Sequence, residues 1–246
     1  MIPKIIHYCW FGRNPLPELA VNCIKSWKKF LPDYEIKEWN EENFDVNIVP
    51  YTAEAYRAKK YAFVSDYARF WILYKYGGLY FDTDVEIIKS MDDIIVQGAF
   101  MGCELCPDKQ NGGLKPAIAP GLGLGVEQGN RLYAKILDSY KKKHLFNFKG
   151  QITETVVGIV TKLLICNRND IDLRQISIID GIRIYPNEYF CPIIALTGDM
   201  SITENTRTIH HYTATWVSKP NQPKYKSILQ RIKHILIRTY IQLFFN

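Results

Sequence analysis

Asp82-Thr83-Asp84 places two carboxylates two residues apart, directly after the apolar run Leu79-Tyr80-Phe81. In an extended chain the two side chains share a face, and around a turn they splay. Carboxylates this close repel each other, so an unpartnered pair is costly. A divalent cation removes that cost. Carboxylate oxygens suit Mg²⁺ or Mn²⁺, which keep positions free for phosphate oxygens and water. The triplet therefore predicts a metal–diphosphate site at the C-terminal end of a strand, where open α/β sheets put their ligands. An acidic surface turn is the plainer reading of the triplet by itself. The apolar run in front of it argues for a buried strand and against that reading.

Ser65, Asp66 and Arg69 are the second group. Asp66 and Arg69 are three apart and lie on one helical face. Their helix is rich in aromatics, so a charged pair there must be satisfied, by each other or by a ligand. An ordinary intrahelical ion pair has the same spacing. The third group is His210-His211-Tyr212-Thr213-Ala214-Thr215-Trp216. If this run is extended, the two histidines point to opposite faces, and at most one reaches a metal on Asp82 and Asp84. Gly121-x-Gly123-x-Gly125 lacks the spacing of a dinucleotide-binding turn. Cys103-x-x-Cys106 has no second pair and does not make a structural zinc site.

The elements that must position these groups follow from periodicity. The run from 3 to 10 reads as a buried strand, 16 to 30 as a helix, and 34 to 39 as a second strand. Strand, helix and strand at this spacing form a βαβ unit and favour a parallel sheet. Residues 52–76 contain no Gly or Pro and predict one long helix, stopped by Gly77-Gly78. Short strands follow at 79–81 and 85–88. The Gly- and Pro-rich stretch 107–125 reads as a loop, 131–143 and 156–164 as helices, and 176–185 as strands broken at Asp180-Gly181. The fold class expected is α/β.

Apolar residues make up 47% and charged residues 23% of the 246, values that exclude a disordered or polytopic membrane chain. The net charge of +6 is unevenly placed. No acid follows Glu204, and the same stretch carries seven basic residues, leaving 24 basic against 25 acidic residues in the remainder. A near-neutral body with a basic tail lacks the basic face expected of a nucleic-acid-binding fold. Residues 225–245 combine that charge with an apolar stripe at Ile228, Leu229, Ile232, Ile235, Leu236, Tyr240 and Leu243. The pattern is an amphipathic helix. It suits either contact of residues 224–245 with an anionic membrane surface or packing on protein. The expected organisation is a catalytic domain over 1–218 and a basic helix over 219–246. Scattered cysteines and the absence of a leader-like start point to a reducing, cytoplasmic setting, with the tail reaching the inner face of the membrane.

Taken in order, Ile-Pro-Lys-Ile-Ile-His-Tyr-Cys-Trp-Phe-Gly, Ser-Asp-Tyr-Ala-Arg, Tyr-Gly-Gly-Leu-Tyr-Phe-Asp-Thr-Asp-Val and His-His-Tyr-Thr-Ala-Thr-Trp closely resemble glycosyltransferase family 32. The layout is also similar to the catalytic domain of clostridial glucosylating toxins. The resemblance implies a GT-A fold with a Rossmann-like, mostly parallel sheet. It implies a nucleotide-sugar donor, with a UDP-sugar favoured, a Mn²⁺ or Mg²⁺ cofactor and retention of anomeric configuration. A saccharide or lipid-linked saccharide acceptor in surface polysaccharide synthesis follows; a protein acceptor, as for a toxin-like effector, is the alternative. Residue by residue, it places Trp10 on the donor base, Ser65 near the ribose, and Asp66 and Arg69 on the sugar and diphosphate. His7, Tyr80 and Thr83 fall on the donor side. Asp82 lies toward ribose and metal, Asp84 is the principal metal ligand, His210 or His211 a last ligand, and Trp216 a lid. The Gly-Pro pair that many relatives carry near Thr153-Glu154-Thr155 is absent, so the resemblance does not name the acceptor. A glycoside hydrolase would need two opposed carboxylates and has no use for a base-stacking Trp. A binding module without turnover would not need the full charged set.

Overall fold

The computed structural model describes residues 1–108, 111–168, 170–194 and 198–212. The βαβ unit is present as β1 (Ile5–Cys9), α1 (Glu18–Phe30) and β2 (Glu35–Trp39). β1 and β2 pair in parallel, with Ile5 opposite Glu35 and Cys9 opposite Trp39. α1 buries Ala20, Cys23 and Trp27 on one stripe. The Trp27 indole N–H donates to the Val85 carbonyl at 2.7 Å, which fastens this helix beneath the chain just past Asp84.

The expected helix over 52–76 is two helices, α2 (Pro50–Arg57) and α3 (Tyr61–Tyr76). Lys59, in the left-handed region at φ 56°, separates them. The Lys60 N–H bonds the Ala55 carbonyl and the Lys59 N–H bonds the Tyr56 carbonyl, a Schellman closure made without glycine. The break lets α3 turn its own face into the core. Ten of its sixteen residues are buried, Ser65, Asp66 and Arg69 among them.

The remaining elements are β3 (Gly78–Tyr80), β4 (Val85–Ile87), α4 (Asp92–Ile95), β5 (Phe100–Pro107), β6 (Leu114–Ile118), β7 (Leu124–Val126), α5 (Arg131–Tyr140), α6 (Val156–Ile165), β8 (Ser177–Ile179), β9 (Ile182–Tyr185), α7 (Asn187–Phe190) and β10 (Thr208–His210). β3 lies parallel to β1, with Ile6 opposite Leu79. Gly78, at φ +102°, is required at this entry, because a Cβ there would sit 2.6 Å from the Ile5 carbonyl oxygen. Among the described residues the main sheet runs β2-β1-β3-β7-β5-β9-β8, with β6 added on β5. It is mixed: parallel at β2/β1, β1/β3 and β5/β9, and antiparallel at β3/β7, β5/β7, β5/β6 and β8/β9. Helices cover it, as the α/β class requires. A separate two-stranded ribbon joins β4 to β10.

The stretch 107–125 is not the loop expected from its composition. It holds the edge strand β6 and the central strand β7. Pro116 is tolerated in β6, which among the described residues pairs with β5 alone. No helix among the described residues is long and apolar enough to cross a membrane. The amphipathic helix expected at 219–246, and with it the proposed boundary at 218, lies outside the described residues.

Candidate functional site

A cavity of about 650 Å³ opens where β1 and β3 end, between α3, the 82–84 turn, the 119–122 segment and the start of α6. Its volume is that of a small-molecule site. Trp10, Ser65, Asp66, Arg69, Asp82, Thr83, Asp84 and His210 all line it. The three groups singled out from local spacing thus meet in one place.

Arg69 is the hub. It is only 3% exposed. One terminal nitrogen, Nη2, is 3.0 Å from Asp66 Oδ1 and 3.1 Å from Asp82 Oδ1. Nη1 donates to the Pro120 carbonyl at 2.7 Å and Nε to the Ser65 carbonyl at 3.1 Å. The guanidinium lies 5.1 Å over the Tyr80 ring. One fixed cation thereby ties together two carboxylates from different elements. Burial pushes the Asp66 carboxyl up to about 7, against the pull of Arg69 and with a further push from Asp82. Burial also raises Asp82, opposed by Arg69 and reinforced by Asp84.

Asp82 is aimed by three neighbours. Tyr80 donates its hydroxyl to Oδ1 at 2.9 Å, Arg69 holds the same oxygen, and the Asp82 N–H bonds the Gly121 carbonyl at 2.9 Å. Oδ2 lies against Gly121, where a Cβ at that position would overlap it. Gly121 therefore has a steric role that no dinucleotide-motif test could find. Replacing Gly121 by Ala is expected to displace the Asp82 carboxylate. Overpacking of this kind costs about 1–3 kcal/mol, and a misplacement of about 1 Å costs about a hundredfold in rate. Steady-state kinetics with a melting curve checks this: a folded Gly121→Ala protein at full activity would contradict the role.

Asp84 faces the same space from the next turn. Its Oδ1 is 3.2 Å from His210 Nε2, and its carbonyl accepts the His211 N–H at 2.9 Å. The Asp84 carboxylate beside it pushes His210 well above the ordinary histidine range, against burial. The histidines diverge as expected: His211 turns to Glu86, with Nε2 2.8 Å from Oε2, and does not line the cavity. His211 is thus removed from the candidate metal ligands. The Asp82 and Asp84 carboxylates both line the cavity, and a pair of carboxylates there suits a hard divalent cation.

Other expected site residues fall as follows. Trp10 lines the cavity, its indole N–H anchored on the Asn14 carbonyl at 2.6 Å. Ser65 lines it and donates to the Tyr61 carbonyl at 3.3 Å. Tyr80 is fully buried and acts through Asp82 rather than on the cavity wall. Trp216 lies outside the described residues. His7 is not a donor-binding group. It is 1% exposed in the middle of β1, where Nδ1 accepts from the Trp39 indole at 3.1 Å and Nε2–H donates to the Gly77 carbonyl at 3.0 Å.

Burial lowers His7 to about 4, with Lys37 adding to it and the Gly77 bond opposing. The unfolded chain therefore takes up this proton first as pH falls. Stability is full above about pH 6.5 and is lost through about pH 4, by about 3 kcal/mol in all. Urea midpoints measured across this window should show the loss in the wild type, and His7→Gln should flatten it. An unchanged slope in His7→Gln would contradict the assignment.

Comparison with known proteins bears on this geometry. Residues 17–101 match the family described as "Glycosyltransferase sugar-binding region containing DXD motif", a stretch that includes Asp66, Arg69, Asp82 and Asp84. The chain is similar to inositol phosphoceramide mannosyltransferase 3 of Schizosaccharomyces pombe, 38% identical over 98 residues, which are 38% of this chain and 27% of that protein. It is similar to mannosyl phosphorylinositol ceramide synthase CSH1 of Saccharomyces cerevisiae, 31% identical over 105 residues, 41% of this chain and 28% of that one. The matches thus span between a quarter and a third of these relatives. Among solved structures, PaToxG glycosyltransferase is 19% identical at a TM-score of 0.47, covering 67% of this chain and 69% of that chain.

Proposed function

We propose that the chain is a GT-A-type, metal-dependent glycosyltransferase that moves a hexose, with retention, from a nucleotide-sugar donor to an acceptor hydroxyl. The observation that carries the reading is the convergence of Asp66, Arg69, Asp82 and Asp84 on one small-molecule cavity, with Trp10 on the same wall. The match of residues 17–101 to a sugar-binding family containing the same triplet supports it. A UDP-sugar is the favoured donor, and a saccharide or lipid-linked saccharide of surface polysaccharide synthesis the favoured acceptor. The names of the relatives add a mannosyl donor and an inositol phosphate lipid acceptor to those worth assaying.

Mn²⁺ or Mg²⁺, held by Asp82 and Asp84, would supply positive charge against the diphosphate. The chain's own residues do the rest. Arg69 fixes Asp66 and Asp82 in mutual register and keeps a buried positive charge beside the leaving group. Asp66, once ionised, accepts hydroxyls of the donor sugar. Trp10 offers a ring to the base; such stacking is worth about 1–3 kcal/mol. The acceptor attacks from the side on which the diphosphate leaves, and a phosphate oxygen takes the acceptor proton.

The test is a screen of UDP- and GDP-hexoses for donor hydrolysis and transfer, with and without Mn²⁺. One donor turned over only with the cation supports the reading, and no turnover of any donor counts against it. The basic stretch 224–245 is proposed as a peripheral contact with anionic lipid, about 1 kcal/mol per basic group near the surface. The full chain should co-sediment with anionic vesicles and not with neutral ones; equal binding to both would remove the proposal. The cytoplasmic face of a membrane is the location this implies.

A further inference from the structure

We propose that Glu104, Cys191 and His210 form a second metal site, for a thiophilic divalent cation of the zinc class, separate from the carboxylate pair. One carboxylate oxygen, one sulfur and one ring nitrogen from these residues lie within 4.8 Å of one another. They arrive from β5, from the end of α7 and from β10, so only the tertiary fold assembles them.

The histidine carries the argument. Its Nε2 is engaged by Asp84 at 3.2 Å. Its Nδ1 is buried and makes no hydrogen bond among the described residues. An imidazole tied to a carboxylate through one nitrogen, with its other nitrogen unbonded and a thiol and a second carboxylate close to the ring, has the layout of a metal-ligating histidine with its outer-shell partner. The two sites would share the ring without sharing an atom of it.

Tyr212 supports the same reading. It sits in the left-handed region at φ 47°, a strained state for an aromatic residue. That conformation sets its hydroxyl 3.0 Å from Cys191 Sγ and 2.9 Å from Glu104 Oε2, with its ring 4.2 Å from that of His210. One strained side chain thus touches all three candidate ligands, and strain of this kind gathers at functional sites. Sulfur, imidazole and carboxylate together suit zinc and not magnesium or manganese. Bond lengths of about 2.0–2.3 Å put the ligand atoms of a tetrahedral site about 3.5 Å apart, so no pair of the trio needs to close by more than about 1 Å. Binding displaces the Cys191 thiol proton, and any proton on His210 Nδ1, to solvent.

The experiment uses Co²⁺ as the probe on the full chain after chelation, read by absorbance. One equivalent should give a thiolate-to-cobalt band in the near ultraviolet, removed by added Zn²⁺. Cys191→Ser should abolish the band, and Glu104→Gln and His210→Ala should weaken Co²⁺ binding at least tenfold. Cys106→Ser and Asp82→Asn should keep the band. Circular dichroism of each variant shows that it is folded. Lack of the band with excess Co²⁺ would overturn the proposal, and so would a band that survives in Cys191→Ser.

Discussion

Replacing Arg69 by Met is expected to cost about 3–5 kcal/mol of stability, because it leaves the buried Asp66 and the partly covered Asp82 without their cation. In a chain of this size that is a fall of about 6–20 °C in melting temperature. Activity should fall about a hundred- to a thousandfold as well. The penalty has a pH signature. The Asp66 carboxyl is already pushed up to about 7 with Arg69 present, and it moves further up when the cation goes. Protonation then relieves one orphaned charge, so the loss of stability is larger at pH 8 than at pH 6. Arg69→Lys separates charge from geometry. A lysine restores one positive point but cannot reach Asp66, Asp82, Pro120 and Ser65 together. It should recover part of the stability and little of the rate. Equal melting curves for Arg69→Met and wild type would mean that the hub is not what holds the carboxylates.

Asp84→Asn is the other large effect. Asn has nearly the same shape, and its amide oxygen can still meet His210, so the β4/β10 ribbon should persist, with some stability lost because a neutral amide no longer balances the protonated His210. What is lost is the charge that, with Asp82, would hold the cation. Loss of one such electrostatic contact costs about 2.7–4 kcal/mol of barrier, or about a hundred- to a thousandfold in rate. The residual activity should no longer respond to Mn²⁺. A variant that keeps both rate and Mn²⁺ response would place the metal elsewhere.

The parts of this site that could be read along the chain are those set by local spacing. Asp66 and Arg69 share a helical face because they are three apart, and they do pair, at 3.0 Å. The divergence of His210 and His211 follows from strand alternation and is what the ribbon shows. The apolar strand leading into Asp82 is β3, buried throughout. The parts that escaped are set by contact between distant segments. Gly121 matters because Asp82 packs against it, a relation across 39 positions that no motif encodes. His7 lies within a motif, yet its ring is spent on Gly77 and Trp39, so proximity in sequence to Trp10 misled. The end of α2 at Lys59 has no Gly or Pro to announce it, since the left-handed residue there is a lysine. The strands β6 and β7 lie among residues whose composition favours turns, and they form because β5 and β3 supply partners.

The proposed chemistry rests on Asp82 and Asp84 holding a divalent cation on which a nucleoside diphosphate depends. Calorimetric titration of UDP and GDP into the full chain, with Mn²⁺ and with chelator, in wild type and Asp84→Asn, tests it most directly. One of the two nucleotides should bind with Mn²⁺, at least tenfold more weakly both on chelation and in Asp84→Asn. Binding of equal strength in all these conditions would contradict it and leave Asp82 and Asp84 as structural partners of Arg69 and His210.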